Sequence, residues 1–334
     1  MGFARFLPGS DPAGLVTPLA TVAIPVRNGG PGLAEVLDAV ARQRVPGEVE
    51  LLVCDSGSTD GSADLARGAG ARLLEIAPWQ FSHGGTRNLL MREARARHVA
   101  FLTQDSVPAD DLWLSRLLAA FATSDDVGLA FGPYRPRADA SPMIARELAE
   151  WFARLAPDGR PRVDRLTESE RALPPRMLVG PRGFFTDANG CVAREAWERV
   201  PFREIAYAED QALAVDMLRA GRAKVFVPEA AVIHSHEYSS WGWLQRSFDE
   251  SRALHHVYGW RAPMNPRTVT LNVWGAVRAD GRWLASHGRR GDVSGLARAA
   301  THHLARAVGA ALGARADRLP PAVTRRLSHE RRAA

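Results

Sequence analysis

The segment Thr21-Val-Ala-Ile-Pro-Val-Arg-Asn28 sets the first constraint on the fold: a β-branched apolar run ends in polar residues, and Leu33, Val36, Leu37 and Val40 then recur at helical spacing. Such a run reads as a buried strand, and the spacing after it as a helix packed on that strand. The unit repeats. Val49–Asp55 predicts a second strand, followed by Gly-Ser-Thr-Asp-Gly turn chemistry and a short helix near Ser62–Arg67. Ala71–Ile76 and His98–Asp105 predict two more strands, the latter followed by a helix over Leu112–Phe121. This alternation argues for βαβ units, hence an α/β chain with a mostly parallel sheet covered by helices on both faces.

Beyond Val127–Phe131 the pattern loosens. Residues 133–181 are rich in Arg, Pro and Ala, with helical spacing only around Met143–Leu155, and read as a flexible segment. Phe184–Ala193 predicts another strand, and Glu209–Ala220 a helix closed by Gly221. Lys224–Val227 and Val232–His236 are expected to finish the sheet, and from Trp241 onward the chain reads as helical and aromatic, then basic. In that stretch Trp241, Trp243, Phe248, Tyr258 and Trp260 read either as core or as a seat for an amphipathic ligand.

Charge separates the ends of the chain. The whole carries +6, but residues 287–334 hold ten Arg against three acids, so the remainder sums to −1 and is no nucleic-acid binder by charge. An Ala/Arg-rich tail with a helix near Leu296–Leu312 suits peripheral attachment to an anionic membrane surface, or else a solvated extension. No run of about 18 apolar residues occurs to span a bilayer. The first twenty residues hold no apolar core of a signal peptide, and the two cysteines, Cys54 and Cys191, form no framework and no C-x-x-C pair. A reducing, cytoplasmic location follows as the expectation.

Ligands of open α/β sheets bind where strands end. Three strands here end in polar residues: Arg27-Asn28, Asp55, and Gln104-Asp105. Two carboxylates on neighbouring strand ends repel unless a cation or donors lie between them. Asp105 is therefore the candidate for a hard divalent cation, with His234 and His236 as further candidates or as an idle surface pair, like His255-His256 and His302-His303. Phe81-Ser-His-Gly-Gly-Thr-Arg-Asn88 places glycines before a helix, which exposes N–H groups to an anion, and Arg87 adds a charge; a plain glycine turn fits the same letters. Asp210 opens a helix, either offsetting its dipole together with Glu209 or acting as a general base. A complete G-x-G-x-x-G, a Walker A loop, H-E-x-x-H and G-x-S-x-G are all missing from the sequence. Dehydrogenase, NTPase, metalloprotease and esterase readings lose ground accordingly.

Taken together, Ile24–Asn28, Asp55–Gly61, Phe81–Asn88, Thr103–Ser106, Glu209–Gln211 and His234–His236 resemble the inverting family 2 glycosyltransferases of the GT-A fold, most nearly the bacterial rhamnosyltransferase-like members. The resemblance covers roughly residues 20–240. It implies an N-terminal extension over 1–20, a GT-A domain over 21–240 with a nucleotide-sugar half (21–132) and an acceptor half (133–240), and a helical basic region over 241–334. It also implies that Pro25 and Asn28 border the nucleotide, that Asp55 contacts the base, and that His83 and Arg87 lie beside the diphosphate and donor sugar. Asp105 becomes the carboxylate for Mg2+ or Mn2+, completed by one late histidine, His234 in preference, while Asp210 becomes the catalytic base. Gln104 stands on the donor side where many members carry a first Asp. The implied partners are a nucleoside-diphosphate sugar and a saccharide or lipid-linked acceptor in envelope polysaccharide or glycolipid synthesis, at the inner face of the membrane. A sugar nucleotidyltransferase or a catalytically silent GT-A-like binding module are the competing readings.

Overall fold

The computed structural model describes residues 5–6, 17–288 and 291–330; positions 1–4 and 7–16 of the expected N-terminal extension, Arg289, Arg290 and 331–334 lie outside the described residues. The strands are β1 (Arg5–Phe6), β2 (Ala20–Val26), β3 (Glu48–Asp55), β4 (Arg72–Glu75), β5 (His98–Leu102), β6 (Val107–Pro108), β7 (Val127–Phe131), β8 (Tyr134–Arg135), β9 (Arg162–Asp164), β10 (Asn189–Ala193), β11 (Ala223–Phe226) and β12 (Val232–Ile233). The helices are α1 (Gly30–Ala41), α2 (Ser62–Gly68), α3 (His83–Glu93), α4 (Trp113–Phe121), α5 (Pro142–Leu155), α6 (Glu168–Arg171), α7 (Arg194–Arg199), α8 (Glu209–Arg219), α9 (Ser240–Tyr258), α10 (Pro266–Ser286), α11 (Val293–Gly313) and α12 (Pro321–Leu327).

The main sheet runs β1-β3-β2-β5-β10-β7-β11-β9, with β4 also on β3. Its first half is parallel; β10 enters antiparallel between β5 and β7, and β9 closes the far edge antiparallel to β11. Alternation along each strand explains the two helical layers. Val22, Ile24, Leu51 and Val53 pack with Leu33, Val36, Trp113 and Leu117 on one face. Ala23, Leu52, Cys54, Phe101 and Phe131 pack with Leu90, Leu213 and Met217 on the other.

Several sequence expectations change. Val232–His236 does not finish the main sheet: β12 pairs with β6 and β8 in a separate three-stranded sheet, because Val227 to Ala231 carries the chain off the β11 edge. Phe184–Ala193 is a strand only from Asn189, since Ala188 donates to the Thr186 hydroxyl and turns residues 184–188 inward. The stretch 133–181 is not a bare flexible segment; it forms β8, α5, β9 and α6, and the Ser141 hydroxyl caps α5 by accepting from the Ile144 N–H. Trp243, Phe248 and Tyr258 are buried in the core and Trp241 is exposed.

The tail is not a solvated extension either. α11 packs along α9, and a Cβ at Gly309 or Gly313 would fall on the carbonyl oxygens of Leu244 or Phe248, so the backbones touch where only glycine fits. His302-His303 is not idle: His303 Nε2 meets Asp280 at 2.7 Å, and Arg146 Nε meets the same carboxylate at 2.6 Å, joining α5, α10 and α11 in a buried ion network. Arg306 adds two contacts to Glu147 at 2.6 and 2.7 Å. Among the described residues no helix is long and apolar enough to cross a membrane.

Candidate active site

The parallel half of the sheet delivers its polar strand ends to one rim. Val26 and Asp55 are register partners on β2 and β3, so Asp55 emerges beside the turn that follows β2. Its Oδ1 accepts from the N–H groups of Gly57 and Ser58, both at 2.8 Å, while its buried Oδ2 has no hydrogen-bond partner in the protein. A buried carboxylate oxygen left without a donor fits a ligand N–H. Asn28 holds a left-handed backbone (φ 52), which asparagine tolerates, and its side chain accepts from the Thr59 N–H at 2.8 Å. Pro25 is partly buried in β2 immediately before this turn. Gln104 is committed to the backbone: its Oε1 accepts from the Arg27 N–H at 2.7 Å and its Nε2 donates to the Arg27 carbonyl at 3.2 Å. Glutamine here fastens the β2 turn to the end of β5, where an aspartate could not supply the donor.

The small sheet assembles the second group. Antiparallel pairing of Ile233 with Val107 brings the residue after β12 opposite the loop before β6. His234 Nδ1 thus lies 3.6 Å from Asp105 Oδ1, and His236 Nε2 3.4 Å from Asp105 Oδ2. One ligand atom from each of the three side chains falls within 4.8 Å of the others. His234 Nδ1 is buried without a hydrogen bond, and burial pushes its imidazole down to about 4, which keeps it neutral as a metal ligand must be. Two imidazoles and a carboxylate suit a divalent cation, and Mn2+ accepts such mixed nitrogen and oxygen donors. Both late histidines join Asp105, and His236 is as close as His234.

The third group is ionic. Arg87, buried in the second turn of α3, engages both carboxylate oxygens of Asp187 and places Nη1 3.0 Å from Glu209 Oε1. It is therefore held among carboxylates from the loop before β10 and from α8. Burial keeps the Asp187 carboxyl well above the usual carboxylate range even so. Asp210, next to Glu209 and only partly buried, accepts from the Gln211 N–H at 2.7 Å. Burial, with the charge of Glu209 alongside, raises its carboxyl to about 7. Ala208 enters α8 with φ 60 and ψ 33, a left-handed conformation costing a non-glycine residue about 1–2 kcal/mol. Such strain, fixed just before two acids, is characteristic of a functional turn.

Tyr134 joins the groups. Its ring lies 4.9 Å from that of His234, and its hydroxyl bonds the Thr186 hydroxyl, one residue before Asp187. His83, at the start of α3, stands 5.2 Å from the Phe81 ring and 6.4 Å from the Tyr207 ring, with Nε2 3.5 Å from Glu330 Oε2. Sequence reasoning missed Asp187 and Tyr134. The polar run Thr186-Asp187 inside an apolar strand pattern was the signal for Asp187; nothing in the sequence marks Tyr134.

Removing the one cation from this cluster leaves Asp187 and Glu209 buried without a partner. Arg87→Ala is expected to lower stability by about 3–5 kcal/mol near pH 8. The loss should shrink toward pH 5, because the native Asp187 carboxyl, already raised, takes up a proton before the unfolded one does. Urea unfolding at the two pH values checks this, and a loss that does not depend on pH would contradict it.

Residues 21–177 match the family model described as glycosyl transferase family 2. Over 234 residues the chain is 30% identical to the O-antigen chain rhamnosyltransferase RfbN of Salmonella typhimurium, covering 69% of this chain and 70% of that protein. It is 28% identical over 236 residues to the O-antigen chain rhamnosyltransferase WbaN of Salmonella anatum, covering 70% and 71%. Its fold is similar to that of a mannosyltransferase from Pyrobaculum calidifontis, solved with GDP-Man and Mn2+, at a TM-score of 0.59 and 20% identity over 91% of this chain and 89% of the other. Sequence identity sustained over more than two thirds of both proteins, on a sheet of GT-A type, makes this chain a glycosyltransferase belonging to family 2.

Proposed function

We propose that the enzyme moves a sugar, rhamnose on the reading its relatives favour, from a nucleoside diphosphate to a hydroxyl of a saccharide or lipid-linked acceptor in envelope polysaccharide or glycolipid synthesis. The observation that carries this reading is Asp210: a partly exposed carboxyl at about 7, beside a buried ionic cluster and one tyrosine away from a cation-ready triad. A general base works best when its pKa lies near the working pH. The acceptor oxygen attacks the anomeric carbon, Asp210 takes the hydroxyl proton, and the nucleoside diphosphate departs with inversion at that carbon.

Asp55, through its unpartnered Oδ2, accepts from the base of the nucleotide, with Asn28 and Pro25 as the walls of that subsite. Asp105, His234 and His236 would hold Mg2+ or Mn2+, which when bound offsets negative charge on the leaving diphosphate. His83 borders the diphosphate. Arg87 fixes α8 against α3 through Asp187 and Glu209, so that Asp210 faces the acceptor.

The same reading places the enzyme on an anionic membrane surface, through α10 more than through the basic helix α11. Arg267, Leu271, Trp274 and Arg278 recur on one face of α10, with Leu271 65% and Trp274 57% exposed, and the Arg278 guanidinium lies 4.6 Å from the Trp274 ring centroid. Apolar side chains flanked by arginines suit the boundary between headgroups and acyl chains.

Asp210→Asn is expected to keep donor affinity while kcat falls about 100- to 10,000-fold. In the unmodified enzyme kcat should rise as pH passes about 7 and then level, because only the ionised carboxylate accepts the proton. A sugar-transfer assay across pH checks both, and near-normal turnover by the variant would refute the base. Asp105→Ala is expected to abolish the extra rise in Tm that Mn2+ confers on nucleoside-diphosphate binding, and a Mn2+ effect that persists would place the cation elsewhere. Replacing Leu271 and Trp274 together by Ser should weaken co-sedimentation with vesicles containing phosphatidylglycerol, and unchanged binding would remove α10 from the membrane contact.

A further inference from the structure

Arg246 is the cation that none of these roles uses. It projects from α9, within the helical part of the chain, and its guanidinium lies 4.5 Å from the Tyr207 ring centroid. Among the described residues it makes no carboxylate ion pair. Tyr207 is also the ring beside His83, so one ring neighbours both basic side chains. A partly buried arginine fork that is not closed by a carboxylate ion pair fits phosphate oxygens well.

The chain itself puts an anion there. Asp249 Oδ2, on α9, accepts from the N–H groups of His329 at 2.7 Å and Glu330 at 3.1 Å. Gln245 Nε2 donates to the carbonyls of Arg326 and Ser328 at 3.0 and 3.3 Å. These bonds draw residues 328–330 across α9, the His329 ring settles 5.6 Å from that of Tyr238, and the Glu330 carboxylate comes within 3.5 Å of His83 Nε2, with Arg246 also feeling its charge. His83 Nε2 is buried beneath it without a hydrogen bond.

We propose that Arg246 and His83 form the subsite for the donor's diphosphate, and that the Glu330 carboxylate stands in for the diphosphate until the donor displaces the 328–330 segment. The proposal rests on the donor reading above and deepens it. The helical part of the chain thereby supplies a donor-binding residue, and donor entry competes with the chain's own carboxylate. Replacing that carboxylate by an uncharged amide removes the competitor, whereas removing the guanidinium removes the site.

The test is calorimetric titration of the full chain with inorganic pyrophosphate, without metal and again with Mg2+. Glu330→Gln is expected to bind pyrophosphate about tenfold more tightly than the unmodified chain, and Arg246→Ala about tenfold less, the worth of one charge-assisted contact. In the Arg246→Ala background, Glu330→Gln should give a much smaller gain, because the two act on one subsite. Glu330→Gln keeps the shape of a partly buried side chain, so it keeps the test decisive if Arg246→Ala fails to fold, and Arg246→Lys, which keeps charge but loses the fork, should fall between. Equal pyrophosphate affinity in the unmodified chain and Glu330→Gln would overturn the proposal. If that occurs while the unmodified chain still transfers sugar, the subsite alone is wrong; failure of the donor reading would instead appear as absence of any donor turnover.

Discussion

One guanidinium facing three carboxylates governs the centre of this enzyme. Arg87 comes from α3, Asp187 from the turned segment before β10, and Glu209 and Asp210 from the start of α8. A single positive charge cannot neutralise all three in a dry setting, so burial raises the proton affinity of Asp187 and, with Glu209 alongside, of Asp210. The contacts to Arg87 set position, and burial sets basicity. The left-handed Ala208 fits this account, because the turn must direct Glu209 toward Arg87 while leaving Asp210 partly exposed.

The cation-ready triad depends on a different economy. Two-residue strands rarely hold anything by themselves, but β6, β8 and β12 hydrogen-bond to one another and lie where the main sheet has already fixed the ends of β5 and β7. Their pairing register decides that Asp105 meets both His234 and His236. A shift of one residue would turn alternate side chains away from the hollow.

What could be read from the sequence follows from range of interaction. Asp55 and Asp105 were legible because local alternation locates strand ends, and strand ends in an α/β sheet share a rim. Asp210 was ambiguous by itself, since an acid in the first turn of a helix offsets the dipole as readily as it accepts protons, and only the resemblance distinguished the two. Asp187 left only the trace of a polar pair in an apolar run, and Tyr134 none: their roles exist only because β10 enters antiparallel between β5 and β7, which no local spacing announces. Arg87 shows the reverse limit. Its pattern read as an anion site, yet its partners are carboxylates a hundred residues or more on in the chain. His303 was passed over because a histidine pair on a basic helix looks solvated until the buried Asp280 opposite it is known.

The placement of Asp105 in the first third of the chain and of its histidine partners in the last third has a consequence for biogenesis. Loop closure over that span comes late, so a nascent or partly folded chain presents these side chains far apart and has little grip on a divalent ion. Assembly of the triad then reports completed folding, because a chain arrested before β12 docks leaves Asp105 without either histidine.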